Sequence, residues 1–375
     1  MPAPEYNSIE EAETALRAAE HRDIFLQSGL CIGDISHIGP ALALRRELGV
    51  IVYDGSDSYD RGRRQIADVY VDSFRVPESQ VAYVNYARDP LTRRTVKDVI
   101  NSIPRVIVAR SLKLGQSTRV VMEDIVASEE SRIRVMQTLR GTNYDPSPDA
   151  AKHPDDAQTR VFLYDTKKVS LYRDVVVLWG RRSGVRGGPY PLQDHNSRFM
   201  RQLATACLDR GWTVIAAGEF DRGEFGDLMA DAGGNTRAGI FFGEFWNELP
   251  MLRDRAKQVR MFYILSKELK IMPAPRGLVH VGPRSGDLDA YGFSGQSAIY
   301  LVGGNDPDQR MDRKVVEPLA NARATLGLTA YNFTRVKLSD TPRRKKGKGF
   351  EDNALTRADL EAVLARIASQ LQAPL

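Results

Sequence analysis

The stretch VVVLWGRRSGVRGG (residues 175–188), followed by the helical pattern NSRFMRQLATACLD (196–209) and the run TVIAA (213–217), decides the fold. The apolar run 175–179 is too short for a buried helix and suits a strand covered on both faces. In 196–209, Met200, Leu203, Ala204 and Cys207 fall at i, i+3, i+4 and i+7, the stripe that lays a helix on a sheet. A strand, a glycine-rich loop, a helix and a second strand in this order make a βαβ unit, and such units build parallel sheets.

The same alternation extends in both directions. Downstream, the patterns predict helix 224–231, strand 239–242, helix 247–256, strands 278–281 and 298–302, helix 313–325 and strand 333–338. Upstream they predict strand 24–26, helix 40–48, strands 50–53, 69–71 and 81–84, helix 90–101, strand 106–109 and one helix over 121–139. Ser8-Ile-Glu-Glu opens a first helix over 9–21 with a capping box, in which Glu11 reaches back to the Ser8 amide. Residues 142–158, TNYDPSPDAAKHPDDAQ, offer almost no large apolar side chain and read as the region between domains.

The expected fold class is therefore α/β, with two Rossmann-like domains facing across a cleft. The first spans 1–160 and the second 161–350. A last helix follows Thr356, with Leu360, Val363, Leu364, Ile367 and Leu371 on one face; in 351–375 it is expected to return to the amino-terminal domain and pack at the domain junction.

Composition excludes several classes. The chain has 375 residues, 42% hydrophobic and 27% charged, which is enough for two cores and is not the composition of a disordered protein. No apolar run approaches the roughly 18 residues of a membrane span. The two cysteines, Cys31 and Cys207, have no CxxC neighbour, and the five histidines are scattered without an HExxH pattern. Neither a disulfide framework nor a metal centre is expected, and a cytoplasmic location follows.

Three segments carry candidate chemistry. In Gly33-Asp34-Ile35-Ser36-His37-Ile38-Gly39-Pro40, a loop leaves a strand and enters a helix. Ligands of open parallel sheets bind at such carboxyl ends, with Pro40 preset for the first helical turn. Asp34 can there accept a proton from an attacking hydroxyl, or it can simply cap the helix or turn the loop. In Trp179–Gly188, Arg181, Arg182 and Arg186 stand among four glycines. Permanent cations with exposed amides suit a diphosphate, and a solvated charged loop is the alternative. In His280-Val281-Gly282-Pro283-Arg284-Ser285-Gly286, a strand turns into a short helix whose first amides, beside Arg284, can hold phosphate. Trp246 and Phe245 could flank a nucleobase, with core packing as the alternative.

The stretch GDISHIGPALALRREL (33–48) resembles the amino-terminal signature of the heptosyltransferase-like branch of GT-B glycosyltransferases. The stretch VGPRSGDLDAYGFSGQSAIYLVGGNDPDQRM (281–311) is similar to the same family's carboxyl-terminal segment, and HVGPRSG also resembles the phosphate region of fucosyltransferase-type members. The resemblance implies a metal-independent transfer of a sugar from a nucleotide-diphosphate donor to an acceptor hydroxyl, with no cofactor required. It implies a donor held by the second domain, at Arg181, Arg182, Ser183, Gly184, Arg284, Ser285 and Gly286. It implies an acceptor held by the first domain, at Ser36 and His37, with Asp34 as the catalytic carboxylate. Where that family usually has a histidine three residues after this glycine, the chain has Asp289.

The run Arg343, Arg344, Lys345, Lys346, Lys348 attracts polyanions by counterion release. It opens two further readings: a glycosyltransferase acting on a nucleobase hydroxyl, and a non-catalytic nucleotide- or nucleic-acid-binding protein. A nucleotide-sugar epimerase is the other enzymatic alternative.

Overall fold

The computed structural model describes residues 3–28, 34–54, 64–85, 111–112, 114–141, 155–181, 197–230, 239–283, 286–303, 333–338 and 356–372. The helix predicted over 90–101, the strand over 106–109 and the helix over 313–325 lie outside them. The chain divides into two compact units: Met1–Ala150 with Asp254–Lys257, and Ala151–Arg253 with Gln258–Leu375.

In unit 1, strands β1 (Glu5–Tyr6), β2 (Asp23–Ser28), β3 (Leu48–Asp54) and β4 (Val81–Asn85) form a parallel sheet in the order β1-β4-β3-β2. Helix α1 (Ile9–Ala18) lays Ile9, Ala12 and Leu16 on Ile24, Ile51, Ala82 and Val84. Ser8 caps it by accepting from the Glu11 amide at 3.1 Å, while Glu11 accepts from the Asn7 amide, one residue before the position expected of a capping box.

Helix α2 spans Ile35–Leu44, five residues ahead of the predicted start, so Pro40 sits inside it rather than in its first turn. The apolar positions Ile35, Ile38, Ala41 and Leu42 explain the earlier start, because all are buried. Pro40 removes one helical hydrogen bond, a cost that burial on several sides offsets. The segment predicted as strand 69–71 lies in α3 (Arg64–Asp72). Residues predicted as one helix over 121–139 form α4 (Leu114–Ala127) and α5 (Glu129–Leu139), broken where Ser128 accepts from the Ser131 amide. α4 and α5 pack on α2.

Unit 2 begins with α6 (Asp155–Arg160), which runs directly into a π-helical turn, Val161–Thr166. α6, expected in the first domain with its boundary at 160/161, belongs to unit 2, where buried Asp156 takes a two-pronged ion pair from Arg260 at 2.7 and 2.9 Å. Strands β5 (Val175–Gly180), β6 (Thr213–Gly218), β7 (Met229–Ala230), β8 (Gly239–Gly243), β9 (Leu278–Pro283), β10 (Ser297–Gly303) and β11 (Phe333–Leu338) form a parallel sheet ordered β11-β10-β9-β5-β6-β8-β7. Between β6 and β8 the predicted helix 224–231 is replaced by two 3-10 turns and β7.

Three longer helices and one short one cover this sheet. α7 (Ser197–Asp209) presents the stripe predicted for it, all buried. The predicted helix 247–256 is instead a pair of 3-10 turns leading into α8 (Arg255–Lys270). α9 spans Gly286–Phe293. α10 (Arg357–Leu371) starts at a true capping box, Thr356 with Asp359.

The last helix, expected to return to the amino-terminal domain, packs within unit 2. Val363, Leu364, Ile367 and Leu371 join Val176, Leu178, Val279, Val281, Ile299 and Val336 in one core with α7. Its apolar stripe matches the sheet face that the β9–β11 half presents beside α7, and Gly277 lets the chain pass against Leu371, whose carbonyl oxygen a Cβ would meet at 2.4 Å. No helix among the described residues is long and apolar enough to cross a membrane.

Leu364 is 2% exposed, so Leu364→Ala should lower unfolding free energy by about 2–5 kcal/mol in urea titration. A change within about 0.5 kcal/mol, the range of surface substitutions, would contradict this packing.

Candidate functional site

The winding of the unit 2 sheet locates its ligand end. From β5 the chain moves to β6 and β8 on one side, then returns to place β9, β10 and β11 on the other. Direction therefore reverses between β5 and β9, whose register pairs Val177 with His280 and Leu178 with Val281. At such a reversal the two outgoing loops diverge and leave a crevice at the carboxyl ends of the strands. The loops leaving these two strands are the ones that the sequence singles out. β5 exits through Gly180 to Arg181, which is half-buried, and β9 exits through Pro283 toward Gly286, the first residue of α9.

The backbones at this end come into close approach. A Cβ on Gly282 would meet the Trp179 Cβ at 2.8 Å, and Gly218, at φ +93°, would meet the Gly180 carbonyl oxygen at 2.4 Å. Below them lies a polar pin through an aromatic core. The Trp179 indole donates to His280 Nδ1 at 3.0 Å, so the ring proton sits on Nε2, which donates to Gln296 Oε1 at 3.1 Å. Gln296 donates to Ser294 Oγ, and Ser294 donates to the Tyr291 carbonyl at 2.7 Å. The Tyr291 ring stacks on His280 with centroids 4.1 Å apart, and Tyr300 of β10 donates to Asp289 of α9.

These bonds tie α9 to β5, β9 and β10 at once. The amides of its first turn have no carbonyl partner within the helix and carry the positive end of its dipole. The start of α9 is thus held at the carboxyl end of β9. Asp289 is 5% exposed and serves this anchoring. Phe245 packs in the same core against Trp179 and Phe262, which settles it as a core residue.

Unit 1 has the corresponding reversal at β2. β3 and β4 lie on one side of it, and Leu112 bridges to Phe25 on the other, its amide bonded to the Ile24 carbonyl at 2.9 Å. Asp34 is the N-cap residue of α2, the helix that follows β2. Its backbone is helical (φ −70°, ψ −23°) and its side chain makes no capping hydrogen bond. The capping alternative for Asp34 is therefore set aside. Ser36 and His37 are 0% and 3% exposed, and His37 Nδ1 lies 3.1 Å from Thr118 Oγ1 of α4. Both sit in the packing of α2 against its neighbouring helices rather than on an open surface.

Residues that the sequence reading passed over support both ends. Gln27, near the end of β2, is buried and accepts from the Tyr70 hydroxyl of α3. The signal for it was a lone amide in the apolar run IFLQS, since a buried amide demands a partner. Arg182, Ser183, Gly184, Arg284, Ser285 and the cations Arg343, Arg344, Lys345, Lys346 and Lys348 lie outside the described residues. Among the described residues no group of three or more His, Cys, Asp or Glu is placed to hold a metal ion.

No family model matches the chain, and no curated protein matches its sequence. Solved structures do. A family 9 glycosyl transferase from Veillonella parvula is 9% identical with a TM-score of 0.42, over 94% of this chain and 97% of that one. The ADP-heptose LPS heptosyltransferase II of E. coli is 12% identical with a TM-score of 0.37, over 92% and 99%. The E. coli heptosyltransferase WaaC with ADP is 13% identical with a TM-score of 0.38, over 92% and 99%. At these identities and TM-scores the likenesses assign no reaction and no residue to this chain.

Burial holds His280 neutral and pushes its pKa down to about 3 from the ordinary 6.5. Between these values the unfolded chain binds the proton that the folded chain refuses, so stability is full above 6.5 and falls as pH drops toward 3. Urea midpoints should decline over that window. NMR should show no titration of the His280 ring near its ordinary pKa; a ring that titrates there while the chain stays folded would contradict the buried pin.

Proposed function

We propose that the protein is a glycosyltransferase that moves a sugar from a nucleoside-diphosphate donor to an acceptor hydroxyl. The observation that supports this reading is the reversal of strand order between the adjacent parallel strands β5 and β9, whose carboxyl ends lie side by side. The arginine–glycine loop after β5 and the start of α9 after β9 leave adjacent parallel strands of unit 2. A diphosphate needs dispersed positive charge and main-chain donors, and these two segments bring both to the same end of one sheet.

Departure of a nucleoside diphosphate develops negative charge on the leaving oxygen. Arg181, Arg182 and Arg284, with the amides of Ser285 and Gly286, are assigned its stabilisation, and Ser183 and Gly184 the approach of the backbone to the phosphates. Guanidinium groups supply this charge without a divalent ion. Asp34, at the reversal of unit 1 and not engaged in capping α2, is assigned the general base that takes the proton of the acceptor hydroxyl. Attack opposite the leaving diphosphate inverts the anomeric carbon. Ser36 and His37, expected to bind the acceptor, are buried and are assigned instead the positioning of the α2 start that carries Asp34.

Asp34→Asn should cut turnover by about 10²–10⁴-fold while nucleoside-diphosphate affinity stays within about twofold. Wild-type turnover in this variant would remove Asp34 as the base. Arg284→Ala should weaken binding of ADP, GDP or UDP, whichever the protein selects, by about 10–100-fold in calorimetry, the worth of a hydrogen bond to a charged group. Unchanged affinity would take Arg284 out of the donor site.

A further inference from the structure

Among the described residues, the exposed large apolar side chains are Val161, Tyr172 and Ile271, at 52%, 76% and 79% exposure. Tyr172 and Ile271 share one end of unit 2, and Val161 lies in the segment tied to α8 through Glu268. Tyr172 precedes β5 by three residues, and Ile271 opens the loop from α8 to β9, so both stand at the amino-terminal end of the sheet, opposite the reversal point. Hydrogen bonds stitch their segments together. Arg160, next to Val161, binds Glu268 at 2.6 Å, and Tyr164 donates to the other oxygen of that carboxylate. The Arg276 amide donates to the Leu269 carbonyl at 3.0 Å, and the Gly277 amide to Asp174 at 2.7 Å.

The charge around these residues is predominantly positive. Segments 160–174 and 267–276 contain seven Lys and Arg against three Asp and Glu; Arg160 is paired with Glu268 and Lys167 with Glu248, while Asp165 is exposed. Lys168 and Lys267 are exposed and Lys270 half-buried beside Ile271. Lys168 adopts a left-handed backbone at φ +54°, which turns the chain sharply between the π-helical segment and Tyr172.

We infer that this corner is a docking surface for an anionic lipid bilayer, with Tyr172, Ile271 and Val161 entering the headgroup region and the lysines pairing with lipid phosphates and carboxylates. An aromatic and two aliphatic side chains that stand singly above a basic surface suit an interface that is apolar inside and negatively charged outside. A second copy of the chain is a poor occupant, because it would bring the same excess of positive charge against itself. A polyanion such as a nucleic acid would use the lysines and leave the three apolar side chains without a role. The surface is independent of the proposed sugar transfer, since it lies at the other end of the sheet.

The test is co-sedimentation of the full chain with vesicles of phosphatidylcholine alone or mixed with phosphatidylserine. Binding is expected to the mixed vesicles only and to weaken as salt is raised. The triple variant Lys168→Ala, Lys267→Ala, Lys270→Ala should lose about fivefold per charge removed. Tyr172→Ser with Ile271→Ser should also weaken binding at least about tenfold, at an unchanged melting temperature, because both side chains already face solvent. No sedimentation with mixed vesicles would overturn the proposal, as would sedimentation indifferent to the Tyr172 and Ile271 replacements. Binding to a nucleic acid or heparin that exceeds vesicle binding, and that depends on the lysines alone, would overturn it in favour of a polyanion site.

Discussion

The parallel pairing of β5 with β9 is the constraint on which unit 2 depends. Neither strand is followed directly in sequence by the other: β6, β7 and β8 intervene, and the chain returns across the sheet to pair β9 with β5. In an open parallel sheet such a reversal of strand order is where ligands enter, at the carboxyl ends of the strands. The indole of Trp179 on His280, with Gln296 and Ser294 behind it, locks this pairing from the interior. Buried polar groups are costly unless fully satisfied, and here each successive donor meets an acceptor, so the network specifies one register rather than merely adding contacts.

Unit 1 repeats the logic with different chemistry. Its reversal at β2 places a carboxylate, Asp34, where unit 2 places a helix start and an arginine. The helix beneath Asp34 is buried along residues 35–42, carries a proline in its interior and a glycine whose Cβ would press on Phe74 at 2.9 Å. Such a helix has little freedom to shift. A rigid support of this kind would hold the base proposed at Asp34 in place better than a solvent-facing loop would.

The sheets were readable in the sequence because parallel strands buried on both faces are short uninterrupted apolar runs, as in VVVLW and LVHV. Loops at their carboxyl ends could be placed for the same reason. What could not be read was set by tertiary partners. Val69 and Val71 alternate with polar neighbours like a strand, yet three-to-four spacing from Ile66 and Ala67 through Tyr70 makes the buried side of a helix. α8 escaped notice because RMFYIL is apolar on nearly every side, and periodicity is silent when a helix is surrounded. The stripe of α10 was evident, but a stripe states that a face must be covered and does not name the sheet that covers it. At α2, Pro40 suggested a start where the chain tolerates an interior proline, and the burial of Ser36 and His37 followed from that displaced start.

The central claim is that the β5/β9 reversal point receives the phosphates of a nucleoside diphosphate. Hydrogen exchange of the intact chain, followed by mass spectrometry with and without a saturating nucleoside diphosphate, tests it most directly. The account predicts slowed exchange in peptides covering Gly180–Arg181 and the first turn of α9, with peptides of the unit 1 strands unaffected. Protection confined to other segments, with these two left unchanged by a ligand that demonstrably binds, would contradict it.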